Sequence, residues 1–198
     1  MVMTLKSIKE DIVNEIIINK SRFITVLCNV YNNDEVFEKI NYYKNKYKDA
    51  THYCTGYIIN SYMKCDDDGE PSGTAGMPIL NVLKKNDLEY ILCIVIRYFG
   101  GIKLGAGGLV RAYSRSASEA INKSEIVNLV NGYIIKIEFN YDNTKIIDTY
   151  LKNIEIKKDF DEKVTYTFKI SNDYFEKIKI ILEKNTKILK KEPVLLTV

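Results

Sequence analysis

With a single histidine, His52, the chain cannot complete a standard zinc set, and its cysteines give no help. Cys28, Cys54, Cys65 and Cys93 lie 26, 11 and 28 residues apart, so no Cys-x-x-Cys pair exists and four free thiols in a reducing compartment are expected. Three prolines and no low-complexity tract leave no obvious flexible linker. The longest strictly aliphatic or cysteine run, Ile91 to Ile96, falls far short of the ~20 residues a membrane helix needs. Met1–Lys6 leads into no apolar leader, which predicts a cytoplasmic protein without a membrane anchor. The net charge of +3 is below the strongly basic balance of a dedicated nucleic-acid binder. What remains is an ordinary folded composition, 198 residues with 46% apolar side chains, enough for one large domain or two small ones.

Glycine is concentrated. Eight of the ten lie between Gly69 and Gly108, in two ordered runs. The first is Asp66-Asp67-Asp68-Gly69-Glu70-Pro71-Ser72-Gly73-Thr74-Ala75-Gly76. The second is Arg97-Tyr98-Phe99-Gly100-Gly101-Ile102-Lys103-Leu104-Gly105-Ala106-Gly107-Gly108-Leu109-Val110-Arg111. All four arginines (Arg22, Arg97, Arg111, Arg115) fall in the first 115 residues, and the rest of the chain uses lysine alone. Guanidinium suits phosphate and carboxylate recognition better than ammonium does.

Periodicity divides the chain near residue 130. The first part predicts strands at about 8–18 and 21–30, a helix over 34–48 with Val36, Phe37, Ile40 and Tyr43 inward, and a strand at 52–60. A helix capped by Thr74 follows, then a buried strand over 88–98 and a long helix to about Lys123. The core stripe of that helix is Leu109, Val110, Tyr113, Ala117, Ala120 and Ile121. The second part predicts a strand over 132–140, a helix over 143–152 and strands at 154–160 and 164–171. A helix over 174–184 capped by Asn172 or Asp173 and a last strand from Ile188 complete it. That order, β-α-β-β-α-β, is the split pattern of a ferredoxin-like domain. The fold class is therefore α+β, with domains at 1–130 and 131–198.

The second glycine run joins a buried strand to a helix. Free amides at a helix start, with the partial positive charge there, favour an anion. Lys103 adds a point charge, and Arg111 and Arg115, four apart, share one helix face. The predicted phosphate or nucleic-acid contacts are Arg97, Gly100, Gly101, Lys103, Gly105, Gly107, Gly108, Arg111 and Arg115. The competing reading is that the glycines only permit close packing. Neither a P-loop nor a dinucleotide fingerprint is present, since leucine follows Lys103 and Val110 occupies the third glycine position. In the acidic run, Asp66 and Asp67 are expected to be solvated, whereas Asp68 and Glu70 are expected to bind or brace, Glu70 through Arg97 or Arg111. His52 is read as a hydrogen-bonded structural residue, and a general base or a phosphate contact is the alternative. Thr74 takes a capping or turn role. Tyr98 and Phe99 are candidates to stack on a base. No catalytic residue and no cofactor or metal is assigned.

Four separated motifs occur in one order: Lys20-Ser21-Arg22-Phe23, Asp49-Ala50-Thr51-His52, Asp66–Gly76 and Arg97–Gly108. Together they resemble the YigZ/IMPACT family over about residues 1–130, and the remainder resembles the extra domain of bacterial members. The resemblance implies a first domain of the ribosomal-protein domain-two type and a second similar to elongation factor G domains. Eukaryotic relatives regulate translation by restraining a general-control kinase through an added N-terminal domain. This chain starts almost at the shared domain, so the kinase role is not expected to carry over. The expectation is a non-enzymatic, translation-linked protein that contacts RNA or the ribosome. The alternatives are a Mg²⁺-dependent nucleotide- or phosphate-handling enzyme on a small-molecule-kinase-like fold, with Asp68 or Glu70 on the ion, and a module that docks a protein partner on the acidic loop.

Overall fold

A computed structural model describes residues 5–197. It divides into two compact units, Met1–Val127 and Asn128–Val198. The architecture is mixed α/β, with five α-helices among the described residues and antiparallel strand pairing in both units.

In the first unit the elements are β1 (Leu5–Ile8), β2 (Ile12–Ile18), β3 (Ser21–Asn29), α1 (Asn33–Lys46), β4 (His52–Ile59), β5 (Tyr62–Asp66), α2 (Gly76–Lys85), β6 (Ile91–Tyr98) and α3 (Gly105–Lys123). The sheet order is β2-β3-β6-β4-β5, antiparallel throughout. β3 and β6 are central and buried on both faces, which is why their sequences run almost continuously apolar. α2 and α3 cover one face over Phe23, Leu27, Cys93 and Val95. α1 covers the other over Ile24, Val26, Leu92 and Ile94.

The helix faces follow 3.6-residue spacing, with two corrections. On α1, Val36 and Tyr43 are buried while Phe37 is 59% exposed, because it sits about 100° round from the stripe. On α3 the stripe is Leu109, Ala112, Tyr113, Ser116, Ala117, Ala120 and Ile121, and Val110 lies one position beyond its edge. The strand expected over 8–18 is broken into β1 and β2. β5 was not anticipated: four of its five residues are exposed and the fifth is half-buried, without alternation, as befits an edge strand.

The second unit takes in β7 (Ile126–Phe139, which starts just before the boundary), a 3₁₀ turn at Tyr141–Asn143, α4 (Thr144–Tyr150), β8 (Ile156–Phe160), β9 (Val164–Ser171), α5 (Asn172–Asn185) and β10 (Lys187–Thr197). Within it the hydrogen-bonded order is β10-β7-β9-β8. Ile135, Ile137, Phe139, Tyr166, Phe168 and Ile170 alternate inward beneath Ile147, Phe175, Ile178 and Leu182. The cap of α5 is Ser171, whose hydroxyl accepts the Tyr174 amide at 3.3 Å, one residue earlier than expected. No helix of the chain is long and apolar enough to cross a membrane among the described residues.

Candidate functional site

Both glycine runs end in a helix of the same unit, but their helix starts are satisfied differently. The first run closes on itself through Asp67. Its carboxylate accepts from Gly73 N at 2.7 Å, Ala75 N at 3.0 Å and Gly76 N at 2.8 Å. A carboxylate at the start of a helix binds free amides and meets the positive end of the macrodipole. Asp67 thus caps α2 from eight or nine residues away. The expected Thr74 cap is corrected: the N-cap position belongs to Ala75, and Thr74 Oγ1 donates to Pro71 O at 2.6 Å instead. Asp67 is likewise a loop brace and not a solvated carboxylate. Asp66 Oδ1 accepts the Asp68 amide at 2.8 Å, and Asp68 Oδ2 accepts Tyr53 N at 2.7 Å. Asp68 also pairs with Lys44 at 3.3 Å. Among the described residues no group of three or more His, Cys, Asp and Glu is placed to hold a metal ion.

Burial alone would raise the Asp67 carboxyl, but the three amides outweigh it and hold it below its ordinary 3.8. The native state therefore gives up this proton more readily than the unfolded chain does. The associated stability is present above the unfolded value and is lost as pH falls through the folded one. Asp67→Asn is expected to cost roughly 1–2 kcal/mol at neutral pH. In thermal melts, the gap to the native sequence should narrow once the pH falls below 3.8.

At the second run, α3 starts with no side-chain cap: its N-cap residue is Leu104. The amides of Gly105, Ala106 and Gly107, the first of α3, have no partner among the described residues, and all three residues are exposed. Gly101 and Gly105 have φ of +83° and +68°, which a residue with a Cβ would adopt only with strain. Gly108 packs against Leu104. Lys103 is exposed and outside any ion pair among the described residues. So is Arg111, whose Nη1 would lie 3.5 Å from a Cβ built on Gly107, placing its guanidinium back over the first turn. Arg115 turns the other way and pairs with Glu119 at 2.7 Å.

Lys103, Leu104, Gly105 and Ala106 line a cleft of about 430 Å³ that also takes in Thr51, His52, Glu70, Arg97, Phe99 and Leu109, and that Gly107, Arg111 and Arg115 do not line. Arg97 is not at the surface. Its side chain is 5% exposed, its Nη1 donates to Glu70 Oε1 at 2.5 Å, and its Nε has no acceptor among the described residues. Glu70, also buried, accepts the Tyr113 hydroxyl on the same oxygen at 2.7 Å. His52 Nδ1 lies 2.8 Å from Asp68 O. A carbonyl only accepts, so Nδ1 carries the proton, and Nε2 lies 3.9 Å from Glu70 Oε1. Burial drives the Tyr113 hydroxyl and the nearby Cys54 thiol upward, Cys54 to about 12, so neither is a ready nucleophile. Gly100 lies behind the cleft, and its amide donates to Ser21 Oγ at 3.2 Å.

The spacing of the glycine run brought Lys103, the α3 amides and Arg111 together. Of the two partners expected for Glu70, Arg97 is the one it meets, across 27 residues, and what the spacing could not show is that Tyr113 reaches the same carboxylate oxygen with its hydroxyl. Tyr113 sits at a core position of α3, so periodicity gives it a packing role only.

Residues 19–121 match the family model of the Impact N-terminal domain. IMPACT family member YvyE of Bacillus subtilis is 50% identical over 124 residues, 61% of this chain and 57% of that protein. A Haemophilus influenzae IMPACT family member is 32% identical over 154 residues, 75% of each chain. IMPACT family member YigZ of Escherichia coli is 36% identical over 111 residues, 54% of each. The chain thus spans a little over half the length of the Bacillus subtilis relative. A solved structure described as a hypothetical protein superposes over 97% of this chain and 99% of its own at a TM-score of 0.64 and 24% identity, a likeness of fold alone.

Proposed function

The chain belongs to the IMPACT family, and from that premise we propose that it is a translation-linked regulatory protein that binds RNA, alone or in the ribosome, by its phosphates at the start of α3. One observation carries the reading: three exposed amides at a helix start have no partner among the described residues, while the sister helix α2 has its own amides taken by Asp67. A helix start left open in this way attracts anionic oxygens. Lys103 and Arg111 supply charge beside it. Arg97, Gly100 and Gly101 hold the loop's shape, and Arg115 contributes little to the phosphate contact. The same reading takes residues 1–130 as the IMPACT-type domain of the ribosomal-protein domain-two kind. It takes residues 131–198 as a ferredoxin-like domain, in keeping with the strand order β10-β7-β9-β8, and the cytoplasm as the place of action.

The test is binding of a single-stranded RNA at several salt concentrations. With Lys103 and Arg111 each meeting one phosphate, the log–log salt slope should be about −1.4, so fourfold more salt weakens binding about sevenfold. Lys103→Ala or Arg111→Ala should each flatten the slope by about 0.7. Absence of binding at low salt, or a slope untouched by both substitutions, removes the reading.

A further inference from the structure

We propose that strand β2 is an interface between two copies of this chain: the two strands pair antiparallel about a two-fold axis at Glu15, joining one five-stranded sheet to the other. The proposal does not depend on the phosphate reading above.

β2 ends its sheet, so one side of its backbone has no strand beside it among the described residues. A bare edge is a template for another strand, and soluble proteins guard theirs with charge, proline, a bulge or short length. Three other edge strands of this chain carry such guards. β5 is five residues long and holds Lys64 and Asp66. β8 holds Lys157, Lys158 and Asp159. β10 holds Lys190, Lys191, Glu192 and Pro193. β2 has none of these devices. Five of its seven residues are isoleucine or valine, and its register with β3 runs unbroken from Ile12 to Ile18. Its one charge, Glu15, is taken by Arg22 at 2.8 Å.

The side chains beside that charge are apolar and open to solvent. Val13 is 49% exposed and Ile17 is 70% exposed, and both share a face of the strand with Glu15. In the register Val13 lies beside Val26 and Glu15 beside Ile24, so this is the face that α1 covers farther in. Val13 and Ile17 lie outside the cluster beneath α1.

The strand that fits this edge is a second β2. About Glu15 the sequence reads nearly alike in both directions, with Ile12 answering Ile18 and Val13 answering Ile17. Antiparallel pairing centred there sets each Val13 against the partner's Ile17, at a Cβ separation of about 4.5–5.5 Å. Both exposed residues are thereby covered, and the contact occurs twice. Glu15 then faces the partner's Glu15, but each brings its own Arg22, so the centre carries no net charge. A strand of unrelated sequence would meet the backbone edge without matching this symmetry.

The experiment is sedimentation velocity of the full chain over a range of concentrations. An interface of one strand per copy belongs to the small class below about 1,200 Å², so dimers should form at on the order of 100 µM. Ile17→Lys changes an exposed side chain and should melt as the native chain does. It should weaken the dimer at least about tenfold, because the contact is lost twice. Oxidative cross-linking reads the register. Chains with Val13→Cys mixed with chains with Ile17→Cys should link in higher yield than either alone, since directly opposed residues lie within disulfide reach. Of the native thiols three are buried and one is half-buried, so they compete little. A chain that stays monomeric up to about 1 mM overturns the interface. A dimer unaffected by Ile17→Lys overturns it as well. Equal cross-linking of mixed and unmixed chains overturns the pairing centred on Glu15.

Discussion

Arg97→Met is expected to destabilise the first unit by about 3–5 kcal/mol. Arg97 and Glu70 are 5% and 3% exposed at the side chain, and their contact is 2.5 Å. Removing the guanidinium leaves a carboxylate in the interior with one hydrogen bond among the described residues, from the Tyr113 hydroxyl at 2.7 Å, and with His52 Nε2 3.9 Å away. The cation also lies 5.5 Å and 5.4 Å from the ring centroids of Phe23 and Phe99, so those contacts are lost with it. The diagnostic comparison is the double variant Arg97→Met, Glu70→Leu. An apolar pair of similar volume carries no desolvation cost, so the double variant should recover most of the loss. Urea unfolding followed by circular dichroism measures both, since the chain has no tryptophan to report by fluorescence. If the double variant is no more stable than the single one, an uncompensated Glu70 is not the cause.

Gly100→Ala should be the most damaging glycine substitution in the site loops. A Cβ there would lie 2.0 Å from the carbonyl carbon and oxygen of Lys20 and 2.4 Å from Ser21 N. These are backbone atoms, so no rotamer change relieves the clash. The β2–β3 turn must move instead, and it already holds Asn19 and Lys20 at φ of 45° and 64°. Moving it pulls Ser21 Oγ away from the Gly100 amide at 3.2 Å and from Arg97 Nη2 at 3.5 Å. A loss of about 3 kcal/mol or more, or failure to fold, is expected. Gly101→Ala is the control. It has open space around its Cβ and only the strain of φ +83°, so about 1 kcal/mol is expected. Equal losses at the two positions would mean that the close approach of Gly100 to Lys20 does not govern this loop.

Much of this fold can be read along the chain because side-chain period reports which face is covered. β7 shows it well: Ile135, Ile137 and Phe139 alternate inward as their spacing requires. Strand β5 escaped because an edge strand with exposed side chains has no such alternation; the hint it left was Asn60-Ser61, a turn with φ of 48° and 67°. Thr74 was a sound local guess for a cap, but local propensity was overridden by a carboxylate from the preceding loop. In the acidic run, Asp68 and Glu70 are expected to bind or brace and do make such contacts, while Asp67, expected to be solvated, instead caps α2 through amides six to nine residues on, which no local pattern announces.

The order of residues alone determined the strand and helix periods, the two-part division and the placing of a glycine-rich helix start beside Lys103 and Arg111. These are short-range properties, set by backbone freedom and by neighbours within a turn or two. Only the tertiary structure decided that Glu70 takes Arg97 and not Arg111, that the pair is buried, that Asp67 closes one helix start and that the other stays open. Those outcomes depend on which atoms meet across tens of residues, and a hydrogen bond forms or fails within a few tenths of an ångström, a distance that no pattern along the chain encodes.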